Sequence, residues 1–161
     1  MKKILCLLIL VLFLCSCNVK SSNITPVTKG ICFDADLSYY NETYQIKALI
    51  KENGDTEITF TSPKELSGLK ISYIGDQITS DYNGIKYTSP LKESPQYSVS
   101  DIIYKIFSTV YDNVITKDDS YYVESELDSL KYKLYIGATG LPIKIESPYF
   151  NAKIKNATII K

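Results

Sequence analysis

Apolar and polar residues alternate along most of the chain after residue 30. In the first such stretch, 31–39, the odd positions are apolar or aromatic and the even positions are small or polar. A period of two is typical of a β-strand with one buried face. The same alternation, bounded by Gly, Pro, Asn or Asp, predicts further strands at 44–50, 58–60, 69–74, 77–82, 85–88, 121–126, 131–136, 141–146 and 150–160. The pattern therefore predicts about ten antiparallel strands.

One segment, 99–111, departs from this alternation and predicts a single helix. Ser98, followed by Asp101 three residues later, has the form of a capping box, which opens helices. Apolar residues then recur at helical spacing: Ile102, Ile103, Ile106, Phe107 and Val110. The other side of the helix is polar and carries Asp101, Lys105, Ser108 and Thr109. We therefore expect the sheet to cover one side of the helix only.

The first 16 residues have the parts of an export signal. Lys2 and Lys3 precede an apolar run, 4–14, that is too short to span a bilayer as a mature helix. The run ends in Leu14-Cys15-Ser16-Cys17, which resembles the lipobox of bacterial lipoproteins and implies that Cys17 receives a diacylglyceryl group. Lipidation of Cys15 instead would place Leu14 at the cleavage position, where the peptidase needs a small side chain. An ordinary signal peptide cut nearby, without a lipid, is the remaining alternative.

Three segments follow from these patterns. They are a signal peptide over 1–16, a lipidated N-terminus with a flexible tether over 17–30, and one domain over 31–161. We expect an exported protein that a diacylglyceryl anchor holds in the cell membrane, with its domain outside the cytoplasm. Cys32 is the one cysteine left for the domain, so the predicted mature chain has no intrachain disulfide and its core must hold the fold.

Charge and composition argue against several classes of function. The 18 Lys balance 18 Asp and Glu, so no basic patch favours nucleic acid. The absence of histidine removes the usual acid or base near neutral pH and the commonest metal ligand. Asp34 and Asp36 would lie about 7 Å apart on one strand face, a spacing seen in glycosidases, but on the polar face, where solvated carboxylates are usual. We expect no enzyme, no cofactor and no metal site.

The order of six strands, a helix and four strands behind a lipobox resembles the LolA/LolB-type lipoprotein-carrier fold. Two short segments support the resemblance, SPKELSGLKISY at 62–73 and YNGIKY at 82–87, and the helix follows them. The resemblance covers 31–161 and implies a mainly β domain, in which a curved antiparallel sheet forms an incomplete β-barrel and the inserted helix packs on its concave face. The chain departs from the family in having no helix before its first strand, one lid helix, and no arginine.

The same resemblance implies an apolar cavity for acyl chains between sheet and helix. The alternation nominates its lining as Phe33, Leu37, Ile46, Phe60, Ile103, Phe107, Leu134 and Ile145. The first hypothesis is thus a membrane-anchored lipoprotein that binds an amphipathic or acyl-chain ligand, either a lipid or a lipoprotein. The alternative is an envelope protein-interaction or sensor module with a filled core and no ligand. Its recognition surface would be the tyrosine-rich strands or the loop at 89–98.

Overall fold

Hydrogen-bonded strands make up more than half of the residues that the structure describes. The computed structural model describes residues 20–21, 24–95 and 97–160. The predicted signal peptide and Cys17 lie outside the described residues. The strands are β1 (Lys20–Ser21), β2 (Ile31–Tyr39), β3 (Glu42–Ile50), β4 (Thr56–Ser62), β5 (Lys70–Ile74), β6 (Gln77–Tyr82), β7 (Ile85–Pro90), β8 (Ile115–Lys117), β9 (Ser120–Leu127), β10 (Leu130–Ile136), β11 (Pro142–Glu146) and β12 (Phe150–Ile159). The helix α1 (Val99–Ser108) lies between β7 and β8.

All of these strands belong to one antiparallel sheet. Its order is β1-β8-β9-β10-β11-β12-β2-β3-β4-β5-β6-β7, so the last strand of the chain lies beside β2 at the centre. The end strands β1 and β7 do not pair with each other in the described part of the chain, so the sheet is not closed into a barrel. Side chains from β2, β5, β6, β9 and β12 share one core with α1, which requires the sheet to curve around the helix. The predicted mainly β architecture with one helix is confirmed.

Alternation located the strands because each has one buried face. In β2, Ile31, Phe33, Ala35 and Leu37 are buried, whereas the residues between them are half-exposed. Gly54 has the positive φ of +90° that the predicted Asn53-Gly54 turn requires. The sequence missed β1 and β8, which have two and three residues and are too short to show alternation. They extend the sheet beyond β9.

Residues 24–30, which were predicted to belong to the tether, pack against the domain. Val27 donates its backbone N–H to the carbonyl oxygen of Gly140 over 2.9 Å, and Pro26 is buried. Gly140 has a φ of +82°, and a Cβ placed there would lie 2.3 Å from the carbonyl oxygen of Thr25. The 137–140 turn therefore needs glycine both for its backbone conformation and for this close approach.

The helix ends earlier than its apolar spacing predicted. It stops at Ser108, Thr109 has an extended backbone, and Val110 is 79% exposed rather than part of the apolar side. Two hydroxyl groups take over the last carbonyl oxygens: Thr109 donates to Lys105 over 2.9 Å, and Tyr111 donates to Ile106 over 2.7 Å. Burial raises the pKa of Tyr111 well above its usual value, and its contact with the Tyr132 hydroxyl adds to this effect. The predicted helical end at 111 was therefore wrong by one turn.

Candidate functional site

The residues nominated as a cavity lining meet in one place. Their side chains come from strands on both sides of the sheet centre and from α1, and all belong to a single apolar cluster. Their exposed fractions lie between 0% and 5%: Phe33, Leu37, Ile46, Phe60, Ile103, Phe107, Leu134 and Ile145. The structure thus brings the whole predicted set together, between the inner face of the sheet and the helix.

The space between these side chains is filled. The rings of Phe33 and Phe107 lie 5.0 Å apart between their centroids, at an interplanar angle of 35°. A side chain that lined a void large enough for water would keep surface accessible to that water. The nearly complete burial of the set therefore describes a packed interior, in which α1 covers the sheet with direct contacts.

The start of α1 is held by a polar cluster. Ser98 caps the helix, because its Oγ accepts the N–H of Asp101 over 3.2 Å, as the sequence predicted. The hydroxyl of Tyr73, on β5, donates to Ser100 Oγ over 3.0 Å, and the Ser98 and Ser100 hydroxyls lie 3.2 Å apart. Burial raises the pKa of Tyr73 to about 12, with the nearby carboxylate of Asp101 contributing. This cluster ties the first turn of the helix to the sheet.

An ion pair joins the same helix to the turn between β9 and β10. Lys105 Nζ lies 3.1 Å from Asp101 Oδ2 and 2.9 Å from Asp128 Oδ2. Partial burial lowers the pKa of Lys105, but its hydrogen bonds to Asp128 and Asp101 raise the pKa by more than burial lowers it. The net shift is therefore upward. Asp101 was predicted on the exposed side of the helix and is in fact buried, where it also accepts the backbone N–H of Tyr97 over 3.2 Å. Its own partners are local, but the turn that brings Asp128 to Lys105 is distant in sequence.

Two tyrosines that join the sheet to the helix were not among the predicted site residues. Tyr73 and Tyr104 stack with centroids 4.2 Å apart and an interplanar angle of 5°. Alternation with Ile71 could have placed Tyr73 on the inner face, because both residues have the same parity in β5. Tyr104 lies between Ile103 and Lys105, outside the predicted apolar side of the helix, and gave no comparable signal.

The two aspartates of β2 are engaged by neighbouring side chains on the outer face. Asp36 forms an ion pair with Lys155 and accepts a hydrogen bond from Gln45 over 3.2 Å. The hydrogen bond from Lys155 lowers the pKa of Asp36. Asp34 accepts a hydrogen bond from the Asn156 amide over 2.9 Å. These contacts describe carboxylates of a solvated sheet surface.

The outer face also carries a groove that the sequence did not indicate. It has a volume of about 820 Å³ and crosses β11, β12, β2 and β3. Most of the side chains at its surface are polar, including Ser38, Thr43, Gln45, Lys144, Asn151 and Lys153. Over the described residues, no group of three His, Cys, Asp or Glu could hold a metal ion. In the same part of the chain, no helix is long and apolar enough to cross a membrane.

Solved structures with a similar arrangement decide the fold class. Over 86% of this chain and 89% of the other, the structure matches a LolA superfamily protein from Nitrosomonas europaea with a TM-score of 0.50 and 12% identity. This chain has a LolA-like fold. An uncharacterised conserved protein from Thermus thermophilus matches with a TM-score of 0.53 and 9% identity, over 83% of this chain and 82% of that one. No protein-family model and no curated protein sequence matches the chain.

At these identities the LolA-like likeness concerns the fold alone. It agrees with the order expected from the sequence, in which strands are followed by a helix and by closing strands, and the structure adds that the last strand lies at the sheet centre. A ligand can therefore be inferred only from the residues that lie between the sheet and α1 in this chain.

Proposed function

We propose that the chain is an exported lipoprotein whose LolA-like domain binds an amphipathic or acyl-chain ligand between the sheet and α1. One observation carries the proposal. The ten-residue helix α1 covers the inner face of the sheet, and the nominated side chains of both layers are apolar and buried in one cluster. Diacylglyceryl on Cys17 would hold the protein in the membrane, since two acyl chains suffice for stable attachment.

Binding would require α1 to move outward, because the interior is packed. Besides the apolar packing under the helix, such a movement must break two side-chain hydrogen bonds, at the start and on one edge of the helix: Tyr73 to Ser100, and Lys105 to Asp128. An acyl chain could then replace the contacts that Phe107 and Ile103 make with the sheet. The apolar surface would stay buried in both states, so the exchange would cost little hydrophobic free energy.

The filled interior favours a second candidate, an envelope protein-interaction or sensor module. Its recognition surface would include the aromatic cluster formed where β2 meets β3 and β11 meets β12. There the exposed rings of Tyr40 and Tyr149 stack with centroids 5.4 Å apart, and Tyr39 lies 4.7 Å from Tyr40. Exposed tyrosines of this kind are frequent at protein interfaces.

Contact quenching distinguishes the two candidates. The chain has no tryptophan, so Phe107→Trp introduces a unique fluorophore at the proposed site. In residues 18–161, purified without detergent, we expect brominated fatty acid to quench Phe107→Trp, because the bromine atoms would lie against the indole. Val110→Trp provides the matched control, since this position follows the same helix but is exposed. It should keep its emission.

Folded Phe107→Trp protein whose emission no brominated fatty acid or phospholipid changes would contradict the ligand proposal. Equal quenching of both variants would also contradict it, because it would indicate adsorption to the surface. Native mass spectrometry of the unmodified domain provides an independent reading. Lipid that co-purifies and leaves on organic extraction supports binding, and a clean apo mass that takes up no offered lipid supports the interaction module.

The anchor has its own test. Cells that express the full chain and are fed radiolabelled palmitate should incorporate the label into the protein. Cys17→Ser should abolish the label, because the thioether cannot form, whereas Cys15→Ser should retain it. Label that survives Cys17→Ser, or disappears with Cys15→Ser, would assign lipidation elsewhere. No label in the unmodified chain would favour an ordinary signal peptide.

A further inference from the structure

Strand β7 leaves one edge of the sheet open. It is the last strand in the sheet order and pairs with β6 alone among the described residues. Five of its six residues are exposed, and Ile85 and Tyr87 are 78% and 68% exposed. Long, apolar edge strands template pairing with another strand, and proteins usually protect them.

The exposed Ile85 and Tyr87 continue the inner face of the sheet. Tyr87 lies opposite Ser80, and Ser89 lies opposite Ile78, which is buried in the core. Side chains two residues apart share a face, so Ile85 and Tyr87 lie on the same side as Ile78. The inner face thus extends past the part that the core fills, out to the open edge.

The turn before β7 decides which backbone groups of the strand point outward. Asn83 and Gly84 have φ values of +53° and +82°, which is the signature of a two-residue type I′ hairpin. The flanking pair, Tyr82 and Ile85, is then hydrogen-bonded, and bonded pairs recur at every second residue. Tyr87 therefore bonds to β6, whereas Lys86 and Thr88 present their N–H and C=O groups to the open edge.

We propose that β7 pairs in antiparallel fashion with β7 of a second copy of this chain, with the two-fold axis at Tyr87. Lys86 of each copy then lies opposite Thr88 of the other, and the two residues exchange both of their outward hydrogen bonds. The two Tyr87 side chains face each other at the position where side chains approach most closely. Ile85 of each copy is covered opposite Ser89 of the other.

The charge of Lys86 and the missing N–H of Pro90 favour this register over its neighbours, and a second copy of the chain satisfies both. Lys86 is the one charged residue of β7, and it already contacts Asp81 at 3.4 Å. An axis at Lys86 would oppose two ammonium groups. An axis at Thr88 would oppose Lys86 to Pro90, which has no N–H to donate. The axis at Tyr87 avoids both penalties, so the edge is complementary to itself.

Disulfide trapping in the full chain carrying Cys32→Ser tests the register. With Tyr87→Cys added, oxidation should give a covalent dimer, because the paired Cα atoms would be about 4.5 Å apart. Lys86→Cys or Thr88→Cys alone should give little dimer, since copies of one residue would be diagonal neighbours about 7–8 Å apart. Mixing these two proteins should restore the dimer. The Cys32→Ser chain without an added cysteine gives the background.

Light scattering of the full chain in dodecyl maltoside, corrected for bound detergent, tests the association itself. We expect twice the mass of one chain, falling to one with Tyr87→Lys, whereas Tyr149→Lys, at another exposed tyrosine, should remain dimeric. A monomer throughout would overturn the proposal. So would a dimer that ignores Tyr87→Lys, or trapping of the Tyr87→Cys chain to a different protein in the membrane. None of these outcomes depends on whether the domain binds lipid.

Discussion

Replacing Phe107 by alanine is expected to lower the free energy of unfolding by about 3–5 kcal/mol. The ring is buried, packs against Phe33, and lies at the centre of the apolar side of α1. Its removal would lose the transfer free energy of the ring and leave a cavity that the stiff sheet cannot fill. Urea unfolding of residues 18–161, followed by circular dichroism, measures the change.

Val110→Ala is the matched control for this prediction. Val110 lies three residues further along the chain, beyond the helix, and is exposed, so its truncation should change stability by less than about 0.5 kcal/mol. A loss below about 1 kcal/mol for Phe107→Ala would mean that α1 is not packed on the sheet in solution. That result would favour a helix already displaced and a site open to ligands.

The strands were predictable because burial and backbone geometry have the same period in a half-buried sheet. Phe33, Leu37 and Ile46 could therefore be assigned to the inner face from parity alone. The end of α1 could not, because the helical spacing continues to Val110 while Thr109 and Tyr111 bind the last carbonyl oxygens. The contact of Tyr111 depends on where its loop, between α1 and β8, meets Tyr132 of β10, and this leaves no trace in a local pattern.

The burial of Asp101 illustrates a second limit. Its helical position suggested an exposed side, and local spacing revealed its cap with Ser98 but not its surroundings. Asp128, which shares Lys105 with it, comes from a turn 23 residues beyond that lysine. Contacts of this kind arise only when the sheet curves back over the helix, so the sequence pattern misjudged the polar edge of α1.

At the candidate site, the hydrophobic pattern indicates which residues are buried but not whether a cavity lies between them. An apolar stripe is required both for a lid over a cavity and for the seal of a packed core, since each buries the same side chains. The distance between the layers distinguishes the two, and that distance is set by tertiary contacts such as the stacking of Tyr73 on Tyr104. The hydrophobic pattern therefore identified the buried side chains but not the space between them.

The hydroxyl of Tyr73 is expected to make the domain lose stability between about pH 10 and pH 12. Burial raises its pKa from 10.0 to about 12 in the folded state, which favours the neutral phenol. Below pH 10 the phenol is neutral in both states, and its stabilising effect is complete. As the pH rises through 10, the unfolded chain loses this proton first, so the free energy of unfolding falls by about 2–3 kcal/mol by pH 12.

Tyr73→Phe isolates this contribution from those of the other tyrosines. At pH 8 it should cost only about 0.5–1.5 kcal/mol, because the ring remains and one neutral hydrogen bond to Ser100 is lost. From pH 10 to pH 12, its urea midpoint should fall less steeply than that of the unmodified domain, whereas Tyr149→Phe, at an exposed site, should match the unmodified slope. Equal slopes for all three proteins would mean that the Tyr73 hydroxyl is solvated. The first turn of α1 would then not be held by the sheet, and outward movement of the helix would have one fewer contact to break.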